Sequence, residues 1–492
     1  MWKLIGSELR KLLTNTFNLT LLIFVIGFMV FNIVRGYHAP ANSFLNDGDT
    51  FATFEGEPLH SLSDFYAYAD EVLSSYEGAV SEELWQRYKE DYNTLRAQMT
   101  APDNIDTDRM ERIYGEDWEG LIARNEAGTL TSEDRQLLEE LLVTSEYVSM
   151  DPVFLEEGAV NDPSTSDHYL LQVFYQEESA LRTLNAIYRG NPYIETTEAA
   201  VLDDATAGAS PYHYPLYQLL HPNSYRSFLQ NTLSYSQTGM STETTNLSLF
   251  AEERLAQTAV FGSPISATVL FNNLRTVSIL TLIVLAIVCA NSFAMEKSTG
   301  MDQLIIPTTI TYVRITVAKI IANVLVGCLL YALQLLIAVG LTAWILPLHG
   351  LDIPAVAVTD LLWMYDMPYL TFRELITSMM MLQLLGVLVL SMLVSVLSCF
   401  TKSRFLTIIL LFAILLVPFA FYRQIPLVLS LLCPSNYMNT LYLFLSSDFL
   451  LDPILDNGWW IKDALWIVWA ILAGIATAAM LRQARLHRVS TR

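Results

Sequence analysis

"FAMEKSTGMDQLIIPTTITYVRITVAKI", residues 293–320, is a charged, Pro-containing stretch between two long apolar runs. No charge occurs from Val277 to Met295 before it, and the chain is apolar from Ile320 to Leu346 after it. Runs of this length are those that cross about 30 Å of hydrocarbon as helices. A polar turn between two of them is the connection of a membrane hairpin, and it sets the fold class: an all-α membrane protein. Read outward from this stretch, six runs qualify as spans: Phe17–Val34, Val277–Met295, Ile320–Leu346, Ile376–Phe400, Phe405–Phe421 and Ala464–Leu481.

The chain has 492 residues, 53% of them hydrophobic, yet a net charge of −22. The charge is local. Between Tyr37 and Thr268 stand 39 of the 50 acidic residues but 11 of the 28 basic ones, so this block carries 11 − 39 = −28 and the remainder 17 − 11 = +6. The sequence therefore describes an acidic polar insert in a mildly basic membrane protein. The four cysteines, Cys289, Cys328, Cys399 and Cys433, all lie outside the insert. It has no disulfide framework and must build its own core, for which about 230 residues suffice.

Basic residues set the orientation. They collect at Lys3, Arg10 and Lys11, at Lys297, Arg314 and Lys319, at Lys402 and Arg404, and at Arg482, Arg485, Arg488 and Arg492. Those four places alternate as six spans with both termini in the cytosol require. The acidic insert, 347–375 and 422–463 then face outward, with Trp344, Trp363, Trp459 and Trp460 near the outer interface. The expected layout is an amphipathic interfacial helix over 1–16, a first span over 17–36, an acidic extracytoplasmic domain over 37–268, and spans two to six over 269–492. That last part includes a cytosolic turn, 296–319, and short outer helices over 425–447. In the lead "MWKLIGSELRKLL", Trp2, Ile5, Leu9, Leu12 and Leu13 recur at helical spacing, which suits the inner interface. The first run has a rival reading as a signal peptide cleaved at Ala39–Ala41, but it is long for that purpose.

Within the insert, three segments read as helices: 81–99, with Leu84, Tyr88, Tyr92 and Leu95 on one face; 131–148, opened by Thr131 and Asp134 in capping-box spacing; and 169–188. Stretches near 151–163, 190–193 and 208–223 read as connectors. Asn104, Asp106 and Asp108 have the opening spacing of a calcium loop, but Arg109 and Gly115 occupy the positions that need Gly and Glu. His213 and His221 lack further ligands. No metal site is expected, and nothing suggests a nucleic-acid partner.

No GxxxxGK[ST], HExxH or GxSxG occurs, so neither nucleotide hydrolysis nor the commonest hydrolase chemistry is expected in this chain. The spans as read hold no charged residue well inside, which argues against an ion-coupled carrier. Their notable polar residues are Asn323, Gln334, Gln383, Ser391, Ser395 and Ser398. These serve either to bond helices together or to line a pathway. Ala470, Gly474 and Ala478 recur at every fourth residue of the last span, a spacing that permits close helix packing.

The opening stretch resembles the cytosolic turn between spans two and three of ABC-2 type permeases, the membrane subunits of a class of ABC transporters. The residues that carry the resemblance are Glu296 with Lys297, Thr299 with Gly300, Leu304-Ile305-Ile306-Pro307, Arg314 and Lys319. Two details depart from the family pattern: the Gly-Thr order is reversed, and Val313 stands where Gly precedes Arg. The resemblance covers the membrane half of the chain. It implies that these residues form an ATPase-coupling element: a short helix over 298–306 seated in a groove of a cytosolic ATPase, with Glu296 and Arg314 pairing or touching the lead helix. It also implies a second permease subunit, identical or related, ATP and Mg on the partner ATPase rather than here, surrounding membrane lipid, and a bacterial, Gram-positive cell membrane. The expected function is export of a peptide, drug or lipid. A non-transporting sensor or scaffold, with a ligand-binding outer domain, is the alternative.

Overall fold

The computed structural model describes residues 1–41, 50–143, 171, 173–189, 260–298, 312–354, 371–401, 403–420, 453–455 and 459–490. They are mostly helical, and five helices are long and apolar enough to cross a membrane. The chain divides into two compact units: Met1–His38, Leu73–Ser81 and Ala209–Arg492 form one, and Ala39–Val72 with Glu82–Gly208 the other.

In the first unit, α1 (Trp2–Leu13) and α2 (Thr16–Tyr37) are followed by α9 (Ile265–Ser298), α10 (Tyr312–Ile345), α11 (Phe372–Phe400), α12 (Arg404–Ala420) and α13 (Ile461–Ser490). Helices α9, α10 and α11 pack on one another as the core. In the most apolar window of α9, 76% of residues are buried within the chain, against 11% for α13, so α9 is central and α13 peripheral. Gly327 makes the close approach: a Cβ there would lie 2.6 Å from Ser391 Oγ and 2.8 Å from Leu285 Cδ1. Small residues let backbones come this near where no hydrophobic force draws helices together in lipid.

The ends of the core helices are fixed by named contacts. Thr371 caps α11 with a reciprocal box: its Oγ1 accepts from Glu374 N at 3.3 Å, and its N donates to Glu374 Oε2 at 2.9 Å. Arg373 forks onto Asp352 at 2.6 and 2.8 Å, which holds the Asp352 carboxyl below its usual range. Gly350 takes φ +64 with its Cα hydrogens against the Ser263 carbonyl, where a Cβ would stand 1.9 Å from that oxygen. Strand β3 (Gly78–Ala79) pairs antiparallel with β4 (Val260–Phe261), just ahead of α9.

The structure corrects the span limits. Helix α9 starts well before Val277, α10 begins at Tyr312 rather than Ile320, and α11 begins at Phe372 rather than Ile376. Hydropathy marks where side chains turn apolar, whereas backbone hydrogen bonding continues through flanking polar residues. In consequence Lys319 and Arg373 are helical, and Lys319 is buried inside α10. The fifth expected span is α12, whose 17 residues give about 25 Å; it falls among the shorter apolar helices. Trp459 and Trp460 form β6, paired with β5 (Pro453–Leu455), and Trp344 is exposed at the end of α10. Trp363, the outer helices 425–447, Lys402, His213, His221 and the three connectors lie outside the described residues.

In the second unit, β1 (Phe51–Ala52) pairs with β2 (Pro58–Leu59), and most of α3 (Leu62–Ser74), then α4 (Glu82–Met99), α5 (Thr107–Tyr114), α6 (Trp118–Glu126), α7 (Ser132–Val143) and α8 (Glu178–Arg189) follow. The buried face of α4 is Trp85, Tyr88, Tyr92 and Met99, with Leu84 and Leu95 half-buried at its edge, so the expected face holds at Tyr88 and Tyr92 and shifts by a fraction of a residue towards Trp85. Tyr88 Oη donates to the Tyr188 carbonyl at 2.7 Å and Tyr92 Oη to Asn185 Oδ1 at 2.9 Å, which joins α4 to α8. The helix expected from residue 169 starts at Glu178. Tyr175 is instead extended and bridges Ile105, placing Phe174 in a core with Met110, Tyr114, Trp118, Leu121 and Leu138.

The box at Thr131 and Asp134 forms as expected, with bonds of 2.9 and 3.1 Å. Asp106, the middle of the failed calcium spacing, caps α5 by accepting from Arg109 N at 3.1 Å. Among the described residues, no group of three or more His, Cys, Asp or Glu is placed to hold a metal.

Candidate functional site

The described ends of the opening stretch converge on a partly buried charge cluster built by three helices. Near the end of α9, Ser292 and Glu296 stand four residues apart and share a helix face. That face meets α10 at Lys319. Lys319 Nζ donates to Glu296 Oε2 at 2.5 Å and to the Ser292 carbonyl at 2.7 Å, and sits 4.9 Å from the centre of the Phe293 ring. The side chain is only 2% exposed, so its charge depends on these partners.

Helix α1 completes the cluster. It packs on α10 through Ile5, Glu8 and Leu12, which are buried. Lys11 Nζ donates to Glu8 Oε1 at 2.8 Å and to Glu296 Oε1 at 3.3 Å. The two oxygens of Glu296 thus reach two different helices, and the cluster holds two carboxylates against two ammonium groups. Burial alone would lower the Lys11 ammonium; the carboxylates of Glu8 and Glu296 outweigh it and hold Lys11 above its ordinary value. The position of α1 is fixed at its other end too. Asn15 Oδ1 accepts from Phe17 N at 3.0 Å to cap α2, and Asn18 Nδ2 donates to the Leu12 carbonyl at 2.7 Å.

Phe293, Ile320, Cys399 and Met480, supplied by α9, α10, α11 and α13, form a hydrophobic cluster whose Phe293 touches Lys319. Most of the polar residues picked out in the spans form interhelical bonds. Asn323 Nδ2 donates to Ser395 Oγ at 2.8 Å, and Gln383 Nε2 to the Leu274 carbonyl at 3.1 Å. Thr281 donates to Gln334, and Tyr331 Oη to Gln383 Oε1 at 3.1 Å. Ser391 and Ser395 bond back to carbonyls on their own helix at 2.7 Å. Ser398 donates to the Ala290 carbonyl at 3.0 Å and accepts from Phe293 N and Ala294 N. All six of the singled-out polar residues are fully buried. In this conformation they bond helix to helix and within α11.

The other expected residues are placed as follows. Arg314 is exposed on the first turn of α10, while the contact from Glu296 to the lead helix is present through Lys11. Thr299, Gly300, Leu304 and Pro307 lie outside the described residues, as does the side chain of Lys297. Ala470, Gly474 and Ala478 are exposed on α13, and nothing lies within 4 Å of a Cβ built on Gly474. In the sequence Lys11 reads only as one of the basic residues that set orientation, and Glu8 has no assigned role. Glu8 falls on the same face of α1 as Ile5 and Leu12, and an acid on an apolar stripe signals a cationic partner, here Lys11 one turn on. Compared with known proteins, the chain matches no family model, no curated protein and no solved structure.

Proposed function

We propose that this chain is the permease subunit of an ATP-driven ABC-2 type exporter, which moves a peptide, drug or lipid across a bacterial cell membrane with energy from a separate ATPase. In this reading α2, α9, α10, α11, α12 and α13 are six spans, both termini are cytosolic, and the acidic unit faces outward. One observation carries it: Glu296, at the motif-bearing end of α9, binds both Lys319 of α10 and Lys11 of α1. An input at 296–319 would therefore reach three helices through one carboxylate. The chain has no nucleotide-binding motif of its own, so a partner must supply that input.

The test is co-purification with a Walker-motif ATPase, sought first among the products of neighbouring genes, followed by ATP hydrolysis in vesicles. A stable complex is expected, and Glu296→Lys combined with deletion of 298–306 is expected to abolish it. A complex that survives both changes overturns the coupling assignment. A gene neighbourhood with a histidine kinase and no ATPase supports the sensor reading instead.

A further inference from the structure

We infer that the outward flank of α1 is a binding surface for anionic phospholipid headgroups. The helix has three sectors. Ile5, Glu8 and Leu12 face α9 and α10 and are buried. Next to them, on the turn of about 3.6 residues, come Leu9, Leu13 and Trp2, with Trp2 80% exposed. Beyond these stand Lys3 and Arg10, both exposed.

The chain enters its first apolar helix at Thr16, with only Thr14 and Asn15 between it and the end of α1 at Leu13. The C-terminal end of α1 is thereby held at the bilayer surface. An indole this exposed is unfavourable in water but suits the boundary between headgroups and acyl chains. With Trp2 and Leu13 at that boundary, Lys3 and Arg10 lie at the level of the phosphates. Basic residues there are drawn to anionic lipid and much less to a zwitterionic surface. The buried sector fixes which way the flank points, so the surface is pre-formed. The inference needs only a membrane-bound chain and stands or falls separately from the transport reading.

The full chain is reconstituted without any ATPase into phosphatidylcholine vesicles containing phosphatidylglycerol, with brominated acyl chains on one lipid or the other. Quenching of Trp2 is read as the difference between the chain and its Trp2→Phe variant. Brominated phosphatidylglycerol is expected to be enriched about five-fold at Trp2, the preference that one basic residue near an anionic surface supplies. Lys3→Gln with Arg10→Gln removes the preference, and Lys3→Arg with Arg10→Lys retains it. Soluble glycerol phosphate does not compete.

Equal quenching by the two lipids overturns the inference and leaves the flank to a protein partner. A preference that survives the glutamine pair assigns it to other basic residues and also overturns it. Competition by glycerol phosphate would make this a free-phosphate site rather than a lipid surface. Should the glutamine pair fail to reconstitute, 1 M salt on the unaltered chain reads the same charge: the preference collapses if the inference holds, and persistence refutes it.

Discussion

Replacing Glu296 with Gln leaves the Lys319 ammonium inside α10 without its carboxylate. Removing one partner of a buried pair strands the other charge, at a cost of about 3 kcal/mol. Lys319→Met should cost less, because Glu296 is partly exposed and keeps Lys11. Thermal unfolding of the two variants in detergent checks this order; a larger loss for Lys319→Met would show that the pair is not what stabilises this end. In the acidic unit, Arg124 forks onto Asp134 at 2.9 and 2.8 Å and holds its carboxyl at about 2. The folded value is depressed below that of a free carboxyl, about 3.9. Its stabilisation is therefore complete above that value and is lost as pH falls through about 2. Asp134→Asn should flatten the acid limb of stability between these pH values, measured by circular dichroism against the parent chain.

Among elements, α10 and α13 carry glycines of opposite kinds. Gly327→Val pushes side-chain atoms into Ser391 and Leu285 where α9, α10 and α11 meet, and overpacking of this sort costs about 1–3 kcal/mol. Gly474→Ala meets nothing and should leave the melting temperature unchanged or slightly raised. If both variants melt alike, the three-helix core is not where cohesion resides. Sequence patterns located these helices well, because twenty apolar residues in a row admit few structures. They located helix ends poorly: charged residues such as Lys319 and Arg373 continue a helix whose apolar run has stopped or not yet begun. On α4, Tyr88 and Tyr92 are buried as expected, but Trp85 replaces Leu84 on the face. Trp85 carries more apolar area than Leu84 and takes the inward position, with Tyr hydroxyls satisfied by α8. Of the charge cluster, Glu296 and Lys319 were legible from the stretch they bound. Glu8 is legible as an acid on the apolar face of α1, but the link from Lys11 to Glu296 is not, since it spans 285 residues and depends on how α1 docks.

At the scale of the whole molecule, the proposed orientation divides the charge: −28 on the insert and +6 elsewhere. None of the four cysteines lies in the insert, so a cysteine introduced there reports on sidedness. Glu55→Cys, exposed between β1 and β2, should react on intact cells with a membrane-impermeant thiol reagent, while Ser7→Cys on α1 should react after the cells are opened. Labelling of both on intact cells, or of the second alone, would reverse the orientation on which the export reading depends.

Helix α9 contains neither proline nor glycine in its 34 residues, so it lacks the usual causes of a kink and measures about 51 Å. That is longer than the hydrocarbon layer by roughly 20 Å. A beam of this length is stiff, and its two ends do not move independently. One end carries the carboxylate that joins three helices; the other follows within four residues of the β3–β4 pair. A tilt of about 5° about one end displaces the other by roughly 4 Å, more than the reach of a hydrogen bond. In the proposed orientation, an adjustment of side-chain size at one end of α9 would thus reach the opposite face of the membrane as a movement of backbone.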